Sequence, residues 1–271
     1  MNFEKKIKSL QMEWQHTPRA LVTGGSSGMG LQYATLLAKS GCNLLIVSNQ
    51  KEELEKVSTS LSEQYGVEVL SHYADLSLER AADDLFAYCE TQNLSVDILI
   101  NNAGVFFFKE LETNDLPKVE LMLKLHILTV TRLCVLFGRA MKSRGSGFML
   151  NVSSMAAVLP MPGITIYAAT KAYLKSFGKS YYFEMRPYGV GMTTVCPAAI
   201  ATPLYNLKPQ LMNFGVKIGV IGTPEWLVRR ALRGMFRKRR VVKPGFMNVY
   251  LPPLIAILPN CLVNRIWKKI K

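Results

Sequence analysis

The sequence predicts an α/β fold, a doubly wound arrangement in which a single parallel sheet of about seven strands carries helices on both faces. Two observations lead to this prediction. Short apolar runs that end in glycine, serine or asparagine alternate with longer helix-like segments along most of the 271 residues. Hydrophobic residues make up 49% of the chain, which is enough to form the buried core between such a sheet and its helices. No internal repeat or interdomain linker interrupts the alternation, which predicts one domain.

The first strand, turn and helix predict a phosphate site. Residues 19–23 are a short apolar run, residues 24–30 are rich in glycine, and residues 31–39 are helix-like. A glycine-rich turn before a helix N-terminus lets the backbone approach a phosphate and points free N–H groups at it. A plain glycine turn is the less favoured alternative. The candidate binding residues in this turn are Gly24, Ser26, Ser27, Gly28, Met29 and Gly30.

The remaining elements follow in alternation. Strands are predicted at residues 43–47, 67–74, 96–100, 148–154, 190–196 and 241–244. Helices are predicted at residues 52–65, 78–91, 116–141, 167–186 and 224–236, the last with Thr223 as its cap. Ligands of parallel sheets bind beyond the carboxyl ends of the strands. We therefore expect the turn at 24–30, Asp75 and residues 101–104 to share one site.

Tyr167 and Lys171 are the candidate acid–base pair. They lie four residues apart on a predicted helix, so they share one face of it. The pKa of a phenol, about 10, is lowered by a neighbouring ammonium, which favours the phenolate. Such a phenol can donate and accept a proton near neutral pH. The spacing alone is common, and an ordinary pair on a helix face is the alternative.

Four motifs, in order, resemble those of the short-chain dehydrogenase/reductase family over nearly the whole chain. The glycine spacing from Thr23 to Gly30 matches its cofactor loop, and Asn101 to Gly104 match the motif after its fourth strand. Ser154 lies thirteen residues before Tyr167, and Tyr167-x-x-x-Lys171 matches the active site. The resemblance implies a Rossmann-type domain and reversible hydride transfer between a nicotinamide and a carbonyl or an alcohol.

The resemblance also implies residue roles. Tyr167 would exchange a proton with the substrate oxygen, and Ser154 would hydrogen-bond that oxygen. Lys171 would hold the nicotinamide ribose and lower the pKa of Tyr167. Thr202 would contact the carboxamide, and Asp75 with Leu76 would contact the adenine. The other implied cofactor contacts are Asn102, Ala103, Gly104, Pro197 and Ile200.

The chain departs from the family pattern at His126. The family usually has an asparagine there, which relays protons to the lysine through a water. An imidazole can also bond a water or a carbonyl, so a relay with an altered pH dependence is one interpretation. A histidine packed in a helix groove without a role is the other. The family's Pro-Gly after the sixth strand is here Pro197-Ala198, for which we expect a small backbone adjustment.

The end of the second strand favours NADP(H) over NAD(H). An acidic residue there would hold the ribose 2′-hydroxyl and repel a 2′-phosphate. Ser48 occupies that place and is followed by Asn49 and Gln50, so nothing there repels a phosphate. One feature points the other way, because Asn49 replaces the arginine that NADP-dependent family members usually carry. Lys51 is the candidate phosphate partner.

The segments expected around the substrate are apolar. Residues 203–220 form the loop that closes over the substrate in the family, and residues 106–108 and 158–163 should face the same cleft. This lining favours a bulky apolar ketone such as a steroid, an oxoacyl chain or another lipid-like molecule. The alternative is that these loop residues pack as core. Rival functions are an NAD-linked alcohol dehydrogenase and a cofactor-binding scaffold or sensor without turnover.

Positive charge is concentrated near the C-terminus. The whole chain has a formal charge of +14, and residues 225–271 contain twelve cationic side chains and a single carboxylate side chain, Glu225. We divide the chain into an N-terminal extension (1–17), a catalytic domain (18–245, including the loop 203–220) and a basic, apolar tail (246–271). Apolar residues interleaved with cations suit an anionic membrane surface, whereas packing on the domain or dimerisation is the alternative. No nucleic-acid-binding motif accompanies the charge.

Five dispersed cysteines and no apolar leader segment favour a reduced, cytoplasmic protein, with membrane association through the tail as an additional expectation. No cysteine pair has metal-ligand spacing, and no metal site is predicted. The family resemblance implies a homo-oligomer.

Overall fold

The computed structural model describes residues 1–159, 161–198, 200, 222–245, 247, 248, 250, 251, 265 and 268. Its centre is a seven-stranded sheet in the order β3-β2-β1-β4-β5-β6-β7, with every neighbouring pair parallel. The predicted doubly wound fold is confirmed. The strands are β1 (Arg19–Thr23), β2 (Asn43–Ser48), β3 (Val69–Tyr73), β4 (Ile98–Asn101), β5 (Gly147–Val152), β6 (Val190–Val195) and β7 (Val241–Val242).

Helices cover both faces of the sheet. They are α1 (Phe3–Trp14), α2 (Gly28–Lys39), α3 (Lys51–Tyr65), α4 (Ala81–Thr91), α5 (Leu116–Leu123), α6 (Val130–Arg144), α7 (Thr165–Met185) and α8 (Pro224–Phe236). A π-helical segment, Lys124–Thr129, joins α5 to α6. Short 3₁₀ turns lie at Thr113–Asp115, Met155–Val158 and Arg186–Tyr188.

The core has two layers because successive strand residues point to opposite faces of the sheet. In β1, Ala20 and Val22 join a cluster with residues of α1, α2, α3 and α8. Leu21 lies between them in sequence and joins the opposite cluster, with residues of α4, α6 and α7. The continuous apolar runs that suggested buried strands are therefore buried on both faces, as parallel sheets require.

The first seventeen residues contain α1, which packs into the first of these layers. Phe3, Ile7 and Leu10 are buried there, at the four- and three-residue spacing of one helix face. The side chain of Asn2 caps the helix by accepting a hydrogen bond from the N–H of Lys5 at 3.1 Å. The ring of Phe3 lies 6.3 Å from that of Phe236, between centroids. The helix thus shares the hydrophobic core of the domain.

The long apolar helix predicted at 116–141 is interrupted by the π-helical segment. The 32-residue stretch Thr113–Arg144 contains an 18-residue window with a mean hydropathy of 1.6, so it is long and apolar enough to cross a membrane by length and composition. Its inward face instead packs against the sheet, through α6 residues that include Leu133, Phe137 and Met141. A helix in the core of a domain can be as long and as apolar as a membrane span, so length and composition alone do not distinguish the two.

Several expectations fall outside the described residues. They include Thr202, the substrate loop at 203–220 and most of the tail at 246–271.

Candidate active site

The glycine-rich turn lies at the carboxyl end of β1 and is tied to the turn after β4. Gly24 has a positive φ of 63°, and its N–H donates to the carbonyl of Val47 at 2.7 Å. The Thr23 hydroxyl accepts from the N–H groups of Asn102 and Ala103, both at 3.0 Å. The Asn102 amide donates back to the carbonyl of Thr23 at 3.1 Å. These bonds hold two of the predicted motifs side by side.

Gly30 shows how closely this turn is packed. A Cβ there would collide with the carbonyl of Gly24 and lie 2.6 Å from Nδ2 of Asn102. Ser27 caps α2 without a side-chain hydrogen bond, so the N–H groups of the first turn are not consumed by the cap. A close-packed glycine turn at an uncapped helix N-terminus fits a dinucleotide pyrophosphate.

A cavity of about 320 Å³ opens beside this turn and brings most of the predicted site residues together. The predicted residues that line it are Gly24, Ser26, Ser27, Gly28, Met29, Asn49, Asp75, Leu76, Asn102, Ala103, Gly104, His126, Tyr167, Lys171, Pro197 and Ile200. Gly30, Lys51 and Ser154 do not line it. The cavity therefore extends from the end of β2 to the start of α7, which suits an elongated cofactor.

Tyr167 and Lys171 lie on the inward face of α7, and their side chains are buried, with 6% and 5% exposed. The Lys171 Nζ donates to the carbonyl of Val152, at the end of β5, at 3.0 Å. It lies 5.5 Å from the centroid of the Tyr167 ring. Burial, which disfavours the ammonium, lowers the pKa of Lys171 to about 8. The predicted pair thus shares one face, with the amine beside the phenol ring.

Ser153 and Ser154 have different roles at the end of β5. The Ser153 hydroxyl donates to the carbonyl of Lys171 at 2.6 Å and so fixes the backbone of α7. The Ser154 hydroxyl caps the Met155–Val158 turn by accepting from the N–H of Ala156 at 3.1 Å. Ser154 is thus held at the start of a turn that contacts α7, and its contact with the substrate oxygen stays a prediction.

His126 lies in the π-helical segment and is 1% exposed. Its Nε2 is 3.0 Å from the backbone N of Val105, and its Nδ1 is 3.0 Å from the hydroxyl of Thr170. That hydroxyl donates to the carbonyl of Tyr167 at 2.9 Å. Burial, with a smaller effect of the nearby Lys171 charge, holds the pKa of His126 well below its usual value. His126 is therefore a neutral imidazole, and each of its two ring nitrogens takes part in one hydrogen bond.

A neutral polar network lines the β2 end of the cavity. The Ser26 hydroxyl is 2.8 Å from that of Ser48, and it donates to Oε1 of Gln50 at 3.0 Å. Asn49 lines the same end, whereas Lys51 begins α3 and is exposed. Asp75 also lines the cavity, and its carboxylate accepts from the N–H and hydroxyl of Ser77 at 2.9 and 2.7 Å.

Two residues of this site were missed by sequence reasoning. Gln50 joins the serines through its side chain, and Thr170 connects His126 to Tyr167. Thr170 stands between Tyr167 and Lys171 in the motif, so its place on the helix was visible, but its partner across the fold was not. Gln50 carried no signal beyond its position after a strand.

An apolar border surrounds the substrate side of Tyr167. The ring of Phe106 meets that of Tyr167 edge to face, with centroids 4.9 Å apart. The N–H of Lys109 donates to the carbonyl of Gly163 at 3.0 Å, which joins the segment after β4 to the segment before α7. Phe108, Val158 and Met161 are exposed on these segments. The phenol therefore lines the cavity and also packs against an apolar ring, that of Phe106.

Comparison with known proteins agrees with this geometry. The family model described as "short chain dehydrogenase" matches residues 18–210. The chain is 34% identical over 254 residues to the very-long-chain 3-oxoacyl-CoA reductase of Homo sapiens, covering 91% of this chain and 77% of that one. It is 32% identical over 257 residues to the enzyme of the same name from Anas platyrhynchos, covering 92% and 78%.

Among solved structures, a short-chain dehydrogenase from Sphingobium yanoikuyae in complex with NADPH is similar, with a TM-score of 0.76 and 26% identity. The similarity covers 89% of this chain and 96% of that one. A glycine cradle, a buried Tyr-x-x-x-Lys pair and the family match over most of the chain lead to one conclusion. The chain belongs to the short-chain dehydrogenase/reductase family and is an oxidoreductase that uses a nicotinamide cofactor.

Proposed function

We propose that this enzyme uses NADPH to reduce a bulky apolar ketone, such as an oxoacyl chain or a steroid. The observation that carries the proposal is the position of Tyr167, which lines the cavity together with Lys171 and packs edge to face against the ring of Phe106. The bound nicotinamide supplies the hydride. Tyr167 donates the proton to the carbonyl oxygen, and Lys171 stabilises the phenolate that remains. Ser154 holds the substrate oxygen.

The lining of the cavity at the end of β2 supports NADP(H). Ser26, Ser48, Asn49 and Gln50 are neutral and polar there, so they offer hydrogen bonds and no repulsion to a 2′-phosphate. An NAD-specific site would place a carboxylate at this point to hold the ribose hydroxyls. Lys51 stands at the start of α3 and can reach a phosphate from outside the cavity.

The apolar rim supports a lipid-like substrate. Phe106 packs on the ring of the phenol, and Phe108, Val158 and Met161 expose apolar surface on the segments after β4 and before α7. Burial of apolar substrate surface contributes about 25 cal/mol per Å². The relatives that share about a third of their residues with this chain are named very-long-chain 3-oxoacyl-CoA reductases. An NAD-linked alcohol dehydrogenase of the same family is the second candidate, because no described residue fixes the direction of hydride transfer.

Steady-state kinetics with matched substrates test the proposal. Consumption of NADPH and NADH is followed with a 3-oxoacyl thioester, a ketosteroid and acetone as the small control. We expect kcat/KM to be at least about 10-fold higher with NADPH, and to rise with the apolar surface of the ketone. A preference for NADH together with alcohol oxidation would favour the second candidate. No turnover with any ketone or alcohol, despite cofactor binding, would favour a scaffold.

The basic C-terminal region supports a second proposal, that the enzyme associates with an anionic membrane surface on the cytoplasmic side. The described cations include Arg229, Arg230 and Arg233 on α8 and the run from 237 to 240. Each cation near an anionic leaflet contributes about 1 kcal/mol. Flotation with vesicles containing phosphatidylserine should recover the protein at low salt and not at high salt, whereas neutral vesicles should not recover it. Absence of binding at low salt would refute this proposal.

We also propose a homo-oligomer. Leu121, Leu128 and Val135, on the segment that runs from α5 to α6, are exposed apolar residues on the surface of the described chain. A second copy of the chain would remove them from water. Light scattering gives the mass directly, and a monomeric mass at micromolar concentration would exclude a stable assembly.

A further inference from the structure

His126 has a defined protonation state because of its partners. A backbone amide can only donate a hydrogen bond, so the contact with the N–H of Val105 requires a lone pair on Nε2. The proton of the neutral ring must then lie on Nδ1, from which it is donated to the hydroxyl of Thr170. Thr170 in turn donates its own proton to the carbonyl of Tyr167. Each donor in this series of three hydrogen bonds therefore has one acceptor.

The chain of bonds joins two walls of the cofactor cavity. Gly104 and Val105 line the cavity after β4, and a Cβ at Gly104 would lie only 2.8 Å from Nε2 of His126. Thr170 lies in the turn of α7 between Tyr167 and Lys171. The imidazole belongs to neither wall. It projects from the π-helical segment Lys124–Thr129, a local distortion of a kind that often occurs at functional sites.

We propose that His126 is a positioning residue, a neutral imidazole that fixes the catalytic turn of α7 against the wall formed by Gly104 and Val105, and that it carries no proton to Lys171. The inference rests on the proposed role of Tyr167 as the proton donor. A shift of the phenol relative to the nicotinamide by a fraction of an ångström affects the rate strongly. The Nδ1–H tautomer is the state that holds both walls at once.

Proton relay requires a ring nitrogen that exchanges protons with water, and neither nitrogen of His126 is available for that. Protonation of Nε2 would break the bond to Val105 and leave a buried N–H donor facing another. Tyr167, Lys171 and Asp75 line the cavity that His126 also lines, and Lys124 lies on its own segment. The adjoining helices α5 and α6 carry Lys118, Glu120 and Arg132. The nearby ammonium of Lys171 opposes a second positive charge.

Nitrogen NMR of the enzyme labelled at histidine tests the protonation state without reference to turnover. The chain has three histidines, so His126→Gln assigns the signal by difference. We expect Nδ1 of His126 to be protonated and Nε2 unprotonated from pH 6 to pH 9, with and without NADP⁺. An Nε2–H tautomer, or an imidazolium that titrates in step with activity, would overturn the inference. Either outcome is independent of whether Tyr167 is the proton donor.

Four variants separate positioning from packing. His126→Gln supplies one acceptor and one donor, whereas His126→Phe keeps the ring volume and supplies neither. Thr170→Ser keeps the hydroxyl, and Thr170→Val removes it at nearly constant volume. We expect His126→Phe and Thr170→Val to lower kcat roughly 10- to 100-fold, with the KM for NADPH changed less than about threefold and the pH midpoints unmoved. We expect the Gln and Ser variants to recover most of the rate.

Thermal unfolding with NADPH shows which variants are folded and loaded, and only those are compared. If His126→Phe or Thr170→Val retains full kcat while folded, the histidine has a packing role and the inference fails. If His126→Gln moves a pH midpoint by more than about one unit, the histidine takes part in proton transfer and the inference fails in the other direction. If Tyr167→Phe is fully active, the proposed function fails, and the NMR result still stands.

Discussion

The ammonium of Lys171 donates to the backbone carbonyl of Val152 at a distance of 3.0 Å. This bond anchors the amine of a buried lysine to the end of β5, an inner strand of the sheet. The carbonyl satisfies one of the three N–H donors of the ammonium, and the low-dielectric surroundings disfavour its charge. The result is a buried amine whose pKa is lowered to about 8, next to the ring of Tyr167.

The first prediction concerns pH. The pKa of Lys171 is lowered to about 8 by burial, so in the free enzyme the positive charge is lost as pH rises through that value. We expect kcat/KM for ketone reduction, which reports the free enzyme, to fall above pH of about 8. Lys171→Arg keeps the charge throughout. If its profile falls at the same pH as the wild type, titration of Lys171 does not cause the fall.

The second prediction concerns the phenol. Tyr167→Phe removes the proton donor and keeps the ring that packs against Phe106. We expect kcat to fall roughly 10²- to 10⁴-fold, with the dissociation constant for NADPH changed only slightly. Tyr182→Phe is the matched control on the same helix, outside the cavity, and should keep full activity. If Tyr167→Phe retains turnover, Tyr167 is not the residue that donates the proton to the substrate. Fluorescence titration measures the binding.

The third prediction concerns cofactor choice. Asn49 lines the neutral end of the cavity, so a charge introduced there acts directly on a 2′-phosphate. Asn49→Arg should shift the ratio of kcat/KM values further toward NADPH, and Asn49→Asp should shift it toward NADH, each by roughly 10-fold or more. A shift toward NADH in Asn49→Arg would show that the ribose binds elsewhere. The two variants control for each other, since they change the same position in opposite directions.

The fourth prediction concerns the apolar rim. Phe106→Ala removes a ring that packs edge to face on Tyr167. We expect KM for a long-chain oxoacyl thioester to rise about 10-fold, because apolar contact is lost, while KM for acetone changes little. Phe183→Ala, an exposed phenylalanine on α7 outside the cavity, is the control. Equal changes for both substrates would indicate a general disturbance of the site.

The fifth prediction concerns Gly30. Since a Cβ would collide with the carbonyl of Gly24, Gly30→Ala forces the turn apart. We expect a loss of about 1–3 kcal/mol in the free energy of unfolding and a large loss of cofactor affinity. Gly222→Ala is a milder substitution, because its nearest contact is a side-chain methyl at 3.0 Å. Denaturant titration measures the stability. Unchanged stability in Gly30→Ala would mean that the turn adapts.

The inner strands β1, β2, β4, β5 and β6 were predictable because they are buried on both faces and are followed by polar or small residues, a local signal, whereas the edge strands β3 and β7 are only partly buried. The predicted limits agree with the structure to within one residue for β1, β2 and β6, and to within two residues for the other strands. α1 was not predicted, although Phe3, Ile7 and Leu10 carry a helical spacing. The same stretch contains three lysines, and the burial of its apolar face depends on partners that are distant in sequence.

The site was predictable as far as its motifs reach. Tyr167, Lys171 and the glycine turn line one cavity, and the spacing within each motif fixes its geometry within one element. Thr170 and Gln50 were missed because their importance arises from contacts across the fold, with His126 and Ser26. Likewise, no residue pattern predicts the π-helical segment, which places His126 between two walls of the cofactor cavity.

The contact between Phe3 and Phe236 joins the start of α1 to the end of α8, two helices that are far apart in the sequence. A growing polypeptide on the ribosome has its third residue long before its 236th, so α1 must wait with its apolar face uncovered until α8 emerges. Closure of this layer is therefore a late, long-range event in folding, and it is slow for the same entropic reason that other distant pairings are slow. Nascent chains halted before α8 should be sensitive to protease and should recruit chaperones.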